Sequence, residues 1–300
     1  MVMRILVSGA SGLVGSALVP ALRAAGHTVN RLARPGSTAA PGDVYWDPPV
    51  GRAENGGLEG ADAIVNLAGA SIAERRWTPA RKQILRTSRV DSTRHLVSAL
   101  SKLSRPPRVF VSASAVGYYG NRGDEVLTES SAPGRGFLAA LAQEWEAEAA
   151  KAEQFGARAV MLRFGVILAT GGGALPRMLL PFKLGVGGRL GSGRQWMSWV
   201  TLDDAVAIVQ HALANDALRG PLNAVAPNAV TNSEFTKTLG RVLRRPTIFP
   251  APAFALKLAL GEMAEALLLA SQRVEPQRLK AAKFAFGDAQ LEPALQRVLR

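Results

Sequence analysis

Ile5-Leu6-Val7 forms an apolar run that passes directly into Gly9-Ala-Ser-Gly12-Leu-Val-Gly15, and a helical pattern then extends from Leu13 to Ala25 and stops at Gly26. Few folds accept this combination. An unbroken apolar strand is buried on both faces, and such strands occur where helices cover both sides of a parallel sheet. Glycines at the strand-to-helix turn let the backbone approach a pyrophosphate. The helix N-terminus adds N–H donors and the positive end of its dipole. Gly9, Ser11, Gly12, Leu13, Val14 and Gly15 are therefore the candidate phosphate cradle.

Thr28–Leu32, Ala63–Leu67, Arg108–Ser112 and Arg158–Phe164 repeat the strand pattern. Helical patterns lie between them, one from Thr78-Pro79 to about Leu103 and another from about Phe137 to Phe155. The alternation predicts an α/β fold, a Rossmann-like doubly wound parallel sheet with a smaller C-terminal substrate lobe. The expected division is a dinucleotide-binding domain over 1–167, then 168–244 as substrate-lobe loops whose helices and strand return to that domain. Residues 245–300 would form a small helical domain. Thr201 and Asp204 have the spacing of a helix cap.

Composition narrows the chemistry. The chain has 300 residues, 48% of them hydrophobic and 20% charged, enough for a sizeable core. It has no cysteine, which excludes a disulfide scaffold, a thiolate zinc site and a cysteine nucleophile. His27, His95 and His211 are too scattered to suggest a metal site, so none is expected. Phe254 to Ala270 carries Lys257, Glu262 and Glu265, which argues against a membrane span. The start leaves no room for a signal peptide before Ile5, and a cytoplasmic location is expected. The net charge of +13 invites anionic partners. No aromatic-interleaved basic run or basic tail accompanies it, so neither nucleic acid nor membrane is expected as a partner.

The end of the second strand selects the cofactor. An NAD site places an acid there for the ribose hydroxyls. This chain has Asn30-Arg31-Leu32-Ala33-Arg34 instead. A 2′-phosphate needs a cation, so NADP(H) is expected over NAD(H), with Arg34, just past the strand, as the contact.

With the Gly-x-x-Gly-x-x-Gly spacing go Asn66-Leu-Ala-Gly69, Ser112-Ala-Ser114 and Leu162-Arg163-Phe164-Gly165. These residues resemble the extended short-chain dehydrogenase/reductase group of the epimerase/dehydratase type. Asn66-Leu-Ala-Gly-Ala-Ser-Ile72, Arg76-Trp77, Ser88-Arg89, Ser114-Ala-Val-Gly-Tyr-Tyr-Gly120, and Trp199 with Asp203 and Asp204 are similar to its predicted nucleoside-diphosphate-sugar epimerase subgroup. The stretch from Arg245 resembles that subgroup's C-terminal helical domain. The resemblance implies reversible hydride transfer on a nucleotide-sugar or similar phosphorylated, hydroxylated small molecule. It also implies cofactor contacts at Leu67, Ala68, Gly69 and Arg163, and a possible homodimer.

One departure is clear. The larger group uses Ser/Thr with Tyr-x-x-x-Lys, the lysine lowering the phenol pKa. Four residues after Tyr45, Tyr118 and Tyr119 stand Pro49, Arg122 and Gly123, so the motif is absent. Ser114, Tyr118 and Tyr119 remain as catalytic candidates. Either tyrosine could supply the acid/base group or merely stack on the nicotinamide. A protein that binds NADP(H) without turnover, as a redox sensor or assembly factor, is the alternative. The basic helix bearing Arg75, Arg76, Arg81, Lys82, Arg86, Arg89 and Arg94 reads as a solvated face, or with Arg75, Arg76 and Lys82 turned to phosphates.

Overall fold

The structure is a computed structural model and describes residues 2–37, 40–54 and 56–300. Its main sheet comprises β1 (Arg4–Ser8), β2 (Thr28–Ala33), β3 (Val44–Asp47), β4 (Arg52–Ala53), β5 (Ala63–Asn66), β6 (Val109–Ala115), β7 (Arg158–Phe164) and β8 (Gly220–Ala224). The strand order is β8-β7-β6-β5-β1-β2-β3-β4, parallel except for the β3–β4 edge. Alternate side chains explain the apolar runs. Ile5 and Val7 face a core shared with Leu18, Val19 and Leu22 of α1 (Leu13–Ala24). Leu6 faces the opposite core with Leu96, Val97 and Leu100. Both faces are covered, which gives a doubly wound Rossmann-like sheet. The chain reverses direction across β1, placing β2 on one side and β5 on the other. Ligands bind at such a switch point, beyond the C-terminal strand ends.

The basic helical stretch runs unbroken from Pro79 to Leu100, and Arg75 and Arg76 lie in the loop before it. It comprises α2 (Pro79–Arg86), a π-turn at Thr87–Asp91 and α3 (Ser92–Leu100). Thr78 caps α2, its side chain accepting from Arg81 N, with Pro79 at the first position. Next come α4 (Phe137–Ala150), α5 (Leu175–Lys183), α6 (Leu202–Ala214) and α7 (Asn232–Leu243). Helix α6 packs under the main sheet beside α1. Helix α7 starts at a complete Thr231–Glu234 capping box. It forms a separate core with Leu175, Leu179, Trp199 and the helix Leu291–Val298.

The C-terminal stretch is stitched into the rest. Arg273–Val274 pairs in parallel with Val126–Leu127. Leu279, Phe284 and Phe286 join the main core. Thr201 caps α6, and the buried Asp204 carboxylate accepts from Gly287 N at 2.9 Å and Asp288 N at 3.0 Å. Asp203 pairs with Arg297. These two acids thus anchor the C-terminal segment. Among the described residues no helix is long and apolar enough to cross a membrane.

Candidate functional site

The three glycines of the turn have different jobs. Gly9 has φ +69°, and a Cβ there would lie 2.6 to 2.8 Å from backbone atoms of Leu67 and Ala68. A side chain at Gly15 would lie 2.3 Å from Gly9 O. Both are needed to fold the turn. Gly12 is different: its φ of −77° suits any residue, and an added Cβ would meet only Gly9 O, at 3.2 Å. Gly12 also begins α1 with no side-chain cap and no acid in the first turn, which leaves the helix N-terminus for an anion. The turn thereby abuts Leu67 and Ala68, just beyond β5. Asn66 holds that strand end, accepting from Ser8 Oγ at 2.6 Å and donating to Thr93 Oγ1 at 2.8 Å.

At the end of β2 the two arginines separate. Arg31 forms a forked pair with Asp43, which raises the guanidinium pKa chiefly through that hydrogen bond. Arg34 is exposed, and its guanidinium has no partner among the described residues. It is the cation available to a phosphate.

Beyond β6 lies a buried polar chain. Ser114, 3% exposed, donates from Oγ to Glu146 Oε1 at 2.6 Å. Arg163, its register partner on β7, grips both carboxylate oxygens of Glu146 at 2.8 and 2.7 Å. Arg163 Nη1 donates to the Tyr119 hydroxyl at 2.9 Å, and that hydroxyl faces Asn223 Oδ1 at 2.7 Å and Thr128 O at 2.9 Å. The Tyr118 ring covers the guanidinium, 3.5 Å from its centroid to Cζ. A buried carboxylate satisfied by a bidentate guanidinium and a hydroxyl is a rigid unit.

This arrangement places two of the candidates in the interior. Arg163 is 2% exposed, its guanidinium engaged on Glu146 and Tyr119, and through Glu146 it supports Ser114. Tyr119 is fully buried. The segment 128–134 folds over it: Gly134 N donates to Tyr118 O at 2.9 Å, and a Cβ on Gly134 would lie 2.0 Å from Tyr119 O. Burial outweighs the Arg163 cation and pushes the Tyr119 phenol up to about 12. A phenol pKa raised on folding, from 10.0, adds stability that is complete below pH 10 and lost as pH rises through 12. We expect Tyr119→Phe to remove that alkaline step in a denaturation series. An unchanged step would assign it elsewhere. Tyr118 is half-buried, its ring stacked on the Arg163 guanidinium.

The basic helix is mostly paired: Arg81 with Glu74, Lys82 with Glu262, Arg86 with Glu144, and Arg94 with Asp91 and Glu148. Lys82 thus clamps the C-terminal stretch. Arg177 of α5 donates to Ala73 O, so α5 closes over the loop that follows Gly69. Gly173 packs on Leu13, its Cβ position 2.9 Å from Leu13 Cδ2. These contacts bring the glycine turn, residues 67–74 and the glycine-rich segment before α5 together at the C-terminal ends of the strands. Among the described residues no cluster of three or more potential metal ligands occurs. Glu146 and Asn223 were not foreseen; the signal for Glu146 was an acid on the buried stripe Ala142, Trp145, Glu146 and Ala149 of α4.

The model of the NAD dependent epimerase/dehydratase family matches residues 5–224. The chain belongs to that family. Residues 251–298 match a second model, a domain of unknown function, DUF1731. Epimerase family protein Mb2239 of Mycobacterium bovis is 45% identical over 291 residues, covering 97% of this chain and 96% of that protein. Human epimerase family protein SDR39U1 is 38% identical over 301 residues, covering 99% of this chain and 100% of the relative. The crystal structure of the human protein (isoform 2) with NADPH superposes with a TM-score of 0.90 at 35% identity, over 99% of both chains. A nucleoside-diphosphate sugar epimerase from Corynebacterium glutamicum gives a TM-score of 0.83 at 34% identity, over 100% of this chain and 58% of that one.

Proposed function

We propose that this epimerase/dehydratase family member is an NADP(H)-dependent oxidoreductase that moves hydride reversibly at a hydroxyl-bearing carbon of a nucleotide-linked or phosphorylated small molecule. The cradle at Gly12, the open helix N-terminus and Arg34, unpaired among the described residues, fit NADP(H), and the human relative is crystallised with NADPH. When bound, the nicotinamide supplies a place to store and return hydride. The chain supplies the rest. Backbone N–H groups at the start of α1 hold the pyrophosphate, and Arg34 pairs with the 2′-phosphate.

The observation that carries the chemistry is the Ser114–Glu146 hydrogen bond of 2.6 Å. With its proton directed at Glu146 Oε1, the Ser114 oxygen presents lone pairs and can accept a hydrogen bond from a substrate hydroxyl. A proton arriving at Ser114 Oγ is matched by one passed to Glu146. That pair occupies the functional position of the missing Tyr-x-x-x-Lys, with Arg163 fixing the carboxylate. Ser114→Ala should lower turnover of a nucleotide-linked sugar by about 10²–10⁴-fold, the usual weight of a positioned acid/base group, with NADPH affinity kept. Nucleotide-sugars offered to the NADP(H)-loaded protein, with products resolved by chromatography, provide the assay. A parent protein that binds NADPH tightly and turns over none of them supports the second reading, a binding protein without chemistry. The burial of Ser114 and Tyr119 favours that reading.

Arg34 carries a separate expectation. Arg34→Ala should weaken NADPH about tenfold, the loss of one charge-assisted contact, and leave NADH almost unchanged. Equal effects on both cofactors in a fluorescence titration would free Arg34 of that role.

A further inference from the structure

Residues 171–202 and 235–261 hold nine cations and not one Asp or Glu. The fold brings these two segments together. Leu190 bridges in parallel to Ala251, Gly191 N donates to Ala251 O at 2.8 Å, and Ala251 N donates to Arg189 O at 2.9 Å. Gly188 packs against Phe249, where an added Cβ would lie 2.0 Å from Phe249 O. At the end of α7, Arg245 N donates to Gly240 O at 2.9 Å. That turn gathers Lys237, Arg241, Arg244 and Arg245 around an open depression of about 470 Å³. Arg241 alone of these meets a carboxylate, Glu292, among the described residues. Lys183 and Arg189 on the adjoining segment are exposed and also meet none.

Apolar side chains continue this face outward. Ile248 and Phe249 follow the depression directly, and α8 (Ala253–Leu260) has no buried residue. Phe254 is 74% exposed, and Leu258, one turn further on, is 79% exposed. Leu180, Leu184 and Val186 are exposed on the adjoining segment. These two segments thus carry seven of the twelve large exposed hydrophobics among the described residues. Single exposed apolar residues need no explanation, but such a concentration does.

Charge selects the occupant. An acid-free basic face repels a second copy of itself. Nucleic acid would match the cations but gives aliphatic side chains no apolar interior to enter. An anionic bilayer offers both, phosphates at the headgroup level and hydrocarbon just beneath. Helix α8 is too short to span and carries Lys257, so it would lie in the interface. Spacing along the sequence predicts no membrane partner because these cations form no continuous run; the pairing of two distant segments assembles the cluster.

We propose that this face docks on the surface of an anionic lipid bilayer. Phe249, Phe254 and Leu258 enter the boundary between headgroups and acyl chains, and Lys183, Arg189, Arg244 and Arg245 meet lipid phosphates. The proposal is independent of the cofactor and of the reaction.

The test mixes the full chain with phosphatidylcholine vesicles containing increasing phosphatidylglycerol and separates bound protein by flotation. Binding should rise with phosphatidylglycerol, vanish on pure phosphatidylcholine and weaken as salt is raised. Phe254→Ser with Leu258→Ser, and separately Arg244→Gln with Arg245→Gln, should each weaken binding about tenfold or more, with the melting temperature kept. The emission of Phe254→Trp should shift to the blue on vesicles and be quenched by brominated acyl chains. Absence of binding to phosphatidylglycerol vesicles overturns the proposal, as does binding that both double variants retain within about twofold. Emission of Phe254→Trp that brominated chains leave unchanged also overturns it. A dimer in sedimentation that the Phe254→Ser, Leu258→Ser variant abolishes, without vesicle binding, would assign the face to a second copy instead. Binding of a DNA duplex without vesicle binding would assign it to nucleic acid. Should a double variant not fold, the quenching of Phe254→Trp decides alone.

Discussion

Glu146→Leu should destabilise the protein by about 3–5 kcal/mol in a urea titration, because it strands a buried guanidinium. Arg163 would keep only the Tyr119 hydroxyl and the face of Tyr118, and Ser114 would lose its acceptor. A second substitution, Arg163→Met, should recover much of that loss, since removing both charges ends the desolvation penalty along with the pair. The cycle therefore has a sign: the double variant should be more stable than Glu146→Leu alone. Strict additivity of the two single effects would mean that they do not interact. That would contradict the two contacts of 2.8 and 2.7 Å.

Gly12→Val and Gly15→Val should part company, although both add the same side chain to the same turn. At Gly12 the backbone accepts any residue and the new Cβ meets one carbonyl, so the fold should survive. Dinucleotide binding should nevertheless fall by about 100-fold, the equivalent of two charge-assisted contacts at the pyrophosphate. At Gly15 the Cβ would lie 2.3 Å from Gly9 O, so that variant should lose stability first. Thermal melts paired with NADPH titrations separate the outcomes. Retained affinity in a folded Gly12→Val protein would move the cofactor away from this turn.

The parts of the fold that were legible in the sequence are those that local pattern determines. β1 and β7 announce themselves as apolar runs because both sheet faces are covered. The turn at Gly9 is legible because strand, glycines and helix are adjacent in sequence. β8 was less plain: Gly220-Pro-Leu-Asn-Ala has weak strand propensity, and its Pro221 is tolerated because β8 is an edge strand. The π-turn at Thr87–Asp91 was invisible, since one extra residue hardly disturbs helical spacing. Arg34 could be selected over Arg31 by position, and the Arg31–Asp43 pair supplies the reason. The cluster around Arg163 could not be read. It joins α4, β6, β7 and β8 through contacts as distant as Tyr119 to Asn223, which no local window contains. The burial of Tyr119 could not be read either, because it depends on residues 128–134 closing over it.

The stitching of the C-terminal stretch bears on how the protein is made. Asn223 donates from Nδ2 to Glu275 O at 2.9 Å, while its Oδ1 faces the Tyr119 hydroxyl. Leu279, Phe284 and Phe286 complete the core that Ile5 and Val7 begin. A chain emerging from the ribosome N-terminus first can pair its early strands, yet it cannot seal the main core or pin Asn223 until the stretch around 275–286 is released. Folding of this centre is thus completed only after residues 275–286 have been synthesised. Until then the apolar surface that Leu279, Phe284 and Phe286 cover stays exposed, of the kind that chaperones hold.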